Sequence, residues 1–370
     1  MEKITKFVGL DVHRDTIAMA VSEGGPGPET QYLGEYRHDV PAIIKRILAL
    51  GEPGTVQVAY EAGPTGYGLY RSLQAVGIPC LIAAPSKTPQ VQGDRVKTDR
   101  RDAMKLAHFL RSGSLVGVVP PDEEVEALRD VLRAREDAVF AQRRARQQLT
   151  SFLLRHDRKW SGKSGWSDKH LIWIRSQRFA NEAQKQVLED YVHEVEHQTQ
   201  RLAEATAQVE ALAPETKACA KLYHYLQAMR GVGTITAATI VAELGDLRRF
   251  KTPSRLMSYV GLVPSERSSR PRTCRGSITK AGNPHVRWKL IESAWHARYR
   301  PAHSVKLRRR QVGVPQEIID TAWKAQKRLH DRYWKMTARG KRTQTTVVAL
   351  ARELVGFIWA IGQVAPQHQG

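Results

Sequence analysis

The sequence predicts an α/β domain followed by a longer, mainly helical part, and three observations carry that reading. Short apolar runs alternate with amphipathic stretches over residues 1–120. Charged stretches of helical period replace them from Asp122 onward. Turn clusters such as GGPGP (residues 24–28) separate the early runs.

In chain order, residues 6–12 (KFVGLDV) and 16–22 (TIAMAVS) read as strands on either side of a charged turn, and residues 31–37 as a third. An amphipathic helix covers 40–49, a buried strand 55–60 (TVQVAY), a helix 66–76 and a strand 78–83 (IPCLIA). A further helical pattern opens at KTDRRDA (residues 97–103). The order β-β-β-α-β-α-β-α implies a mixed sheet with helices on its faces. That layout belongs to the ribonuclease-H-like fold, and to other α/β folds as well.

Residues 121–216 form a helical middle region, with long charged helices over 124–157 and 181–213 joined by a segment containing WSGKSGW. In the second helix Leu188, Val192, Val195, Thr199, Leu202, Thr206 and Val209 keep the 4-3 spacing of a coiled-coil seam. Such a seam serves an intramolecular hairpin or a dimerisation arm, and the charges beside it favour the arm.

Residues 217–370 make the third region. MRGVG (229–233) opens an apolar helix at 236–244 and reads either as a phosphate-holding Gly turn or as a tight turn between packed helices. A Ser/Arg-rich loop and Arg-rich helices follow, in which Trp288, Trp295, Trp323 and Trp334 fit core packing better than base stacking. The apolar stretch 347–364 carries Arg352 and Glu353 and reads as a buried terminal helix rather than a membrane span.

The 370 residues include 58 Lys and Arg against 37 Asp and Glu, a formal charge of +21. A chain this basic calls for a polyanionic partner, nucleic acid ahead of an anionic membrane. Residues 251–310 concentrate the excess, with 15 Lys and Arg against Glu266 and Glu292. The 41% hydrophobic content excludes a disordered basic tail. Cys80, Cys219 and Cys274 lack CxxC spacing, which argues against a disulfide scaffold or a cysteine zinc site. The opening residues hold no signal-peptide core, so a cytoplasmic location is expected.

Four acids stand out. Asp11 ends the first strand, Glu61 the fourth, and Asp99 and Asp102 share one face of a helix start. Strand ends and helix starts meet at one edge of an α/β sheet, the usual place for an active site. Carboxylates gathered there need divalent cations, and hard oxygen ligands select Mg²⁺ or Mn²⁺, ions suited to orienting phosphodiester oxygens. Asp15 and Asp94 read as surface acids, and His13, His285 and His296 show no metal-ligand spacing. A second group lies in SERSSRPRTCRGSITKAGN: Ser265, Ser268, Ser269 and Ser277 among Arg267, Arg270, Arg272, Arg275 and Lys280, with Arg287 beyond. These suit either a hydroxyl nucleophile among guanidinium groups or plain phosphate binding.

GLDVH, YEAGPTG, KTDRRDA, YVGLVPSERSS and GSITKAGNPHVRWKL, in that order, resemble the transposases of insertion-sequence family 110, close to the subgroup named after insertion sequence 1111. The resemblance runs nearly end to end. It implies a RuvC-like first domain, a coiled-coil middle and a C-terminal transposase domain. It also implies that Asp11, Glu61, Asp99 and Asp102 bind divalent metal and that a serine forms a covalent phosphoserine link. That serine maps to Ser269, with Ser268 the alternative, because the loop is one residue short and Arg270 stands where the family has glycine. The family's implied partners are donor and target DNA and a structured noncoding guide, the bridge RNA. Its implied assembly is a dimer pairing into a tetramer, with sites completed by domains of different protomers. Rival readings are a metal-dependent Holliday-junction resolvase, an actin/hexokinase-type ATPase and a non-catalytic scaffold.

Overall fold

A computed structural model describes residues 4–25, 30–89, 98–269 and 272–365, with the backbone alone for 267–269 and 272–275. Asp94 and Arg270 lie outside the described residues. The chain divides into two units, Met1–Pro120 and Pro121–Gly370.

The first unit is built on one mixed sheet. Its elements are β1 (Lys6–Val12), β2 (Thr16–Glu23), β3 (Gln31–Arg37), α1 (Val40–Leu48), β4 (Val56–Glu61), α2 (Gly68–Ala75), β5 (Cys80–Ala83), α3 (Asp99–Arg111) and β6 (Gly117–Val118). The strands lie in the order β3-β2-β1-β4-β5-β6. β1 runs antiparallel to β2 and parallel to β4, and β4 runs parallel to β5. The edge strand β6 was not expected: two residues give no alternation to read.

Alternation along the strands divides the apolar residues between two faces. Val8, Leu10, Ile17, Met19, Val58 and Tyr60 join Ile43 and Ile47 of α1 and Leu69 and Leu73 of α2 in one buried cluster. The opposite face carries small residues, Ala18 and Ala20, against Ala103 and Ala107 of α3. A Cβ on Gly9 would fall 2.2 Å from the Ala103 carbonyl oxygen and 2.3 Å from the Ala107 nitrogen. The backbone of α3 therefore lies directly on β1, which sets its first turn beside the end of that strand. Gly9→Val must displace α3, and we expect a loss of roughly 3 kcal/mol or more in urea unfolding.

The second unit opens with α4 (Glu123–Arg155), α5 (Asp168–Ser176) and α6 (Glu182–Glu215). The α6 seam lies against α4 of its own chain. Arg135 Nε donates to Thr206 Oγ1 at 2.8 Å, and Gln142 Nε2 donates to Thr199 Oγ1 at 3.0 Å. Leu188 and Val195 pack with Ala145, Leu149, Phe152 and Leu153. The face expected to serve a dimerisation arm is thus covered within the hairpin.

The remaining elements are α7 (Ala220–Leu226), α8 (Thr234–Leu244), α9 (Pro253–Tyr259), β7 (Pro264–Ser269), β8 (Arg272–Ile278), α10 (Pro284–Ala294), α11 (Val305–Arg310), α12 (Gln316–Ala338) and α13 (Thr343–Val364). Val125, Leu128 and Leu132 of α4 and Val209 and Ala213 of α6 share one apolar core with α8, α10, α12 and α13. α13 is long and apolar enough to cross a membrane by composition. Here Val347, Leu350, Ala351, Leu354, Val355, Ile358 and Ile361 form its buried face. Gly231 sits at φ +85° with a Cβ position 2.6 Å from the Ser293 carbonyl oxygen, so this glycine serves helix packing.

One carboxylate ties that core together. Glu243 of α8, 6% exposed, accepts from Arg133 at 3.1 and 3.3 Å and from Asn283 Nδ2 at 2.7 Å, and lies 3.5 Å from Arg129 Nε. Asn283 also caps α10 by accepting from Val286 N. His285 of the same helix pairs with Glu136 of α4.

Candidate active site

Asp11 is the penultimate residue of β1, an inner strand of the sheet, and its parallel neighbour β4 ends in Glu61. Gly9 pairs with Ala59 in register, so positions 11 and 61, each two residues on, lie on the α3 side of the sheet. Thr98 caps α3 by accepting from Arg101 N at 3.3 Å, which fixes Asp99 and Asp102 in the first turn.

The structure brings Asp11 and Asp99 together and adds a residue that sequence spacing did not mark. His13, in the turn after β1, has Nε2 3.4 Å from Asp11 Oδ2 and 3.5 Å from Asp99 Oδ1. One ligand atom from each of the three lies within 4.8 Å of the others. The backbone of His13 is held by its N–H to Thr16 O at 2.8 Å and by His38 Nδ1 at its carbonyl, 2.7 Å away. Asp102 faces Lys105 Nζ at 3.2 Å and is not one of the three; nor is Glu61, which is exposed. The signal for His13 was present as D-x-H at a strand end, but a two-residue step across a turn has no fixed geometry until the turn is known.

Burial raises the Asp11 carboxyl above its ordinary range; His13 opposes this, and Asp99 and Asp102 add to it. The carboxylates fit a divalent cation of the Mg²⁺ or Mn²⁺ kind, and His13 sets a nitrogen donor beside them. Burial pushes the Cys80 and Cys219 thiols up to about 12, away from the thiolate form.

In the second unit the segment expected as a loop is a β-hairpin. β7 and β8 pair antiparallel, with Ser268 opposite Thr273 and Ser269 opposite Arg272, so Ser269 is the last paired residue of β7. Ser265 Oγ donates to Ser277 O at 3.0 Å, inside the hairpin. The YVGLVP and KAGN segments meet backbone to backbone. Gly261 at φ +69° has its Cβ position 2.1 Å from Ala281 O, and Gly282 at φ +79° has its own 1.8 Å from Tyr259 O. Arg287, expected at nucleic acid, donates to Val260 O at 3.1 Å and Ala281 O at 3.4 Å and so clamps these segments. Lys280 is exposed beside them. The side chains of Arg267, Ser268, Ser269, Arg272 and Arg275 lie outside the described structure. Trp288 stacks on Phe140 and Trp323 on His303, whereas Trp334 is 54% exposed.

Two family models match the chain: a DEDD transposase model of the IS110 type over residues 8–156, and the transposase IS116/IS110/IS902 family over residues 223–307. The chain is 44% identical to the protein of Sinorhizobium fredii named "Putative transposase y4qE", across 98% of this chain and 89% of that one. It is 32% identical to the transposase for insertion sequence element IS1533 of Leptospira borgpetersenii, over 91% and 98% of the two chains. A transposase for element IS1111A of Coxiella burnetii is 25% identical over 79% of this chain and 78% of its own. The chain therefore belongs to the IS110 family of transposases, enzymes that cleave and recombine DNA.

Proposed function

We propose that this transposase is an RNA-guided DNA recombinase that uses a metal-bound acidic cluster and a serine nucleophile. The observation that carries the reading is the approach of Asp11 and Asp99 at the sheet edge, with Asp102 one turn along α3. The strand order supports a RuvC-like, ribonuclease-H-like first unit: an antiparallel β1–β2–β3 meander followed by parallel β4 and β5.

Asp11, Glu61, Asp99 and Asp102 would hold Mg²⁺ or Mn²⁺, which would supply charge for orienting and stabilising a reacting phosphodiester. Ser269, with Ser268 second, supplies the hydroxyl. Its Oγ–P bond forms as one P–O ester bond of the strand breaks; the serine hydroxyl gives up its proton, and the departing sugar alkoxide takes one to become a free hydroxyl. The guanidinium groups of Arg267, Arg270, Arg272 and Arg275, with Lys280, neutralise phosphate around the hairpin. Donor and target DNA and a bridge RNA are the partners, the acting form is a dimer pairing into a tetramer, and the compartment is the cytoplasm. Two polyanions account for a charge of +21 better than one.

A denaturing gel of the protein incubated with its element's DNA junction, guide RNA and Mg²⁺ tests this reading. A covalent protein–DNA band is expected, lost in Ser269→Ala and kept in Ser268→Ala. Cleavage without any covalent band in the wild type would favour the hydrolytic resolvase instead.

A further inference from the structure

We propose that His13 is a direct nitrogen ligand of the divalent ion and tilts the site toward Mn²⁺ over Mg²⁺. The inference rests on the acidic cluster's holding an ion, and it adds a ligand that lies outside the four acids.

The distances argue for ligation rather than an ordinary ion pair. His13 Nε2 faces both carboxylates, at 3.4 and 3.5 Å, each longer than a good N–H···O⁻ contact of about 2.8 Å. An N–H shared between two carboxylates at these distances bonds neither of them well. Donor atoms sharing one octahedral ion with bonds of about 2.1 Å are about 3.0 Å apart at adjacent corners and about 4.2 Å apart at opposite ones. The His13–Asp11 and His13–Asp99 separations, 3.4 and 3.5 Å, lie between those two values.

The local fold holds the imidazole for this role. The His13 backbone is bonded on both sides, through its N–H to Thr16 O and its carbonyl to His38, so the turn is defined although the ring is half exposed. Imidazole is a poor ligand for Mg²⁺, which prefers oxygen and keeps its waters, and a better one for later first-row ions. A nitrogen beside two carboxylates moves the preference toward Mn²⁺.

The test is pulsed electron paramagnetic resonance on the full-length protein with Mn²⁺ alone. A ¹⁴N modulation from a directly bound imidazole is expected, changed by ¹⁵N-histidine labelling and absent in His13→Gln. Competition with Mg²⁺ in the same samples should show about a tenfold fall in Mn²⁺ preference for His13→Gln. Mn²⁺ bound in an Asp11-dependent way without nitrogen modulation would overturn the role of His13 and leave the acidic site standing. Absence of Asp11-dependent Mn²⁺ binding would overturn both. A modulation that survives in His13→Gln would also reject the proposal.

Discussion

Asp11→Asn is expected to reduce strand cleavage by about a thousandfold or more while leaving the folded protein and its DNA affinity intact. Asp11 faces His13 in the cluster that also includes Asp99, and burial already makes its lone charge costly. Replacing one carboxylate oxygen by an amide removes the charge that holds an ion and keeps the shape. Asp99→Asn should follow the same course. The assay is cleavage of the junction DNA across a Mg²⁺ and Mn²⁺ series, with circular dichroism and gel-shift as fold and affinity controls. Wild-type cleavage by Asp11→Asn would remove the acid cluster from the mechanism.

In the second unit the largest stability effect is expected at Glu243. Glu243→Ala leaves Arg129 buried without its acid and takes away the carboxylate that Asn283 Nδ2 bonds at the start of α10. Removing one partner of a buried, hydrogen-bonded ion pair costs about 3–5 kcal/mol. Arg133 is 47% exposed and can hydrate, which places the expectation near the lower end, about 3 kcal/mol, in denaturant unfolding of the second unit. Glu243→Gln keeps an acceptor for Asn283 and should lose less. The same substitution should leave Mn²⁺ binding at the first unit unchanged, because none of its partners belongs to that unit.

The sheet was legible because its strands announce themselves twice, by apolar runs and by turns. Val8, Leu10, Ile17 and Met19 sit where alternation puts them, and Asp11, a charge near the end of an apolar run, pointed to the candidate site. Asp99 was legible as a helix start. Other features depended on contacts that one-dimensional spacing does not carry. The small residues Gly9, Ala18 and Ala20 read as unremarkable strand positions until α3 is seen resting on them. The SERSS and RTCRGSI segments have the Ser, Arg and Gly content of a loop, yet pair as β7 and β8 through backbone hydrogen bonds that composition does not encode. The α6 seam was readable as a seam; its partner was not, since heptad spacing is the same for a neighbouring helix of one chain and for a second copy. Arg287 reads as part of the basic surface, and only the fold shows its guanidinium donating to the Val260 and Ala281 carbonyls.

Anomalous diffraction at the manganese edge, from crystals of the protein with junction DNA and Mn²⁺, tests the central claim most directly. The account predicts a peak bounded by Asp11 and Asp99, with His13 Nε2 in its coordination. A fully occupied ion elsewhere, with these carboxylates turned away from it, would contradict the account.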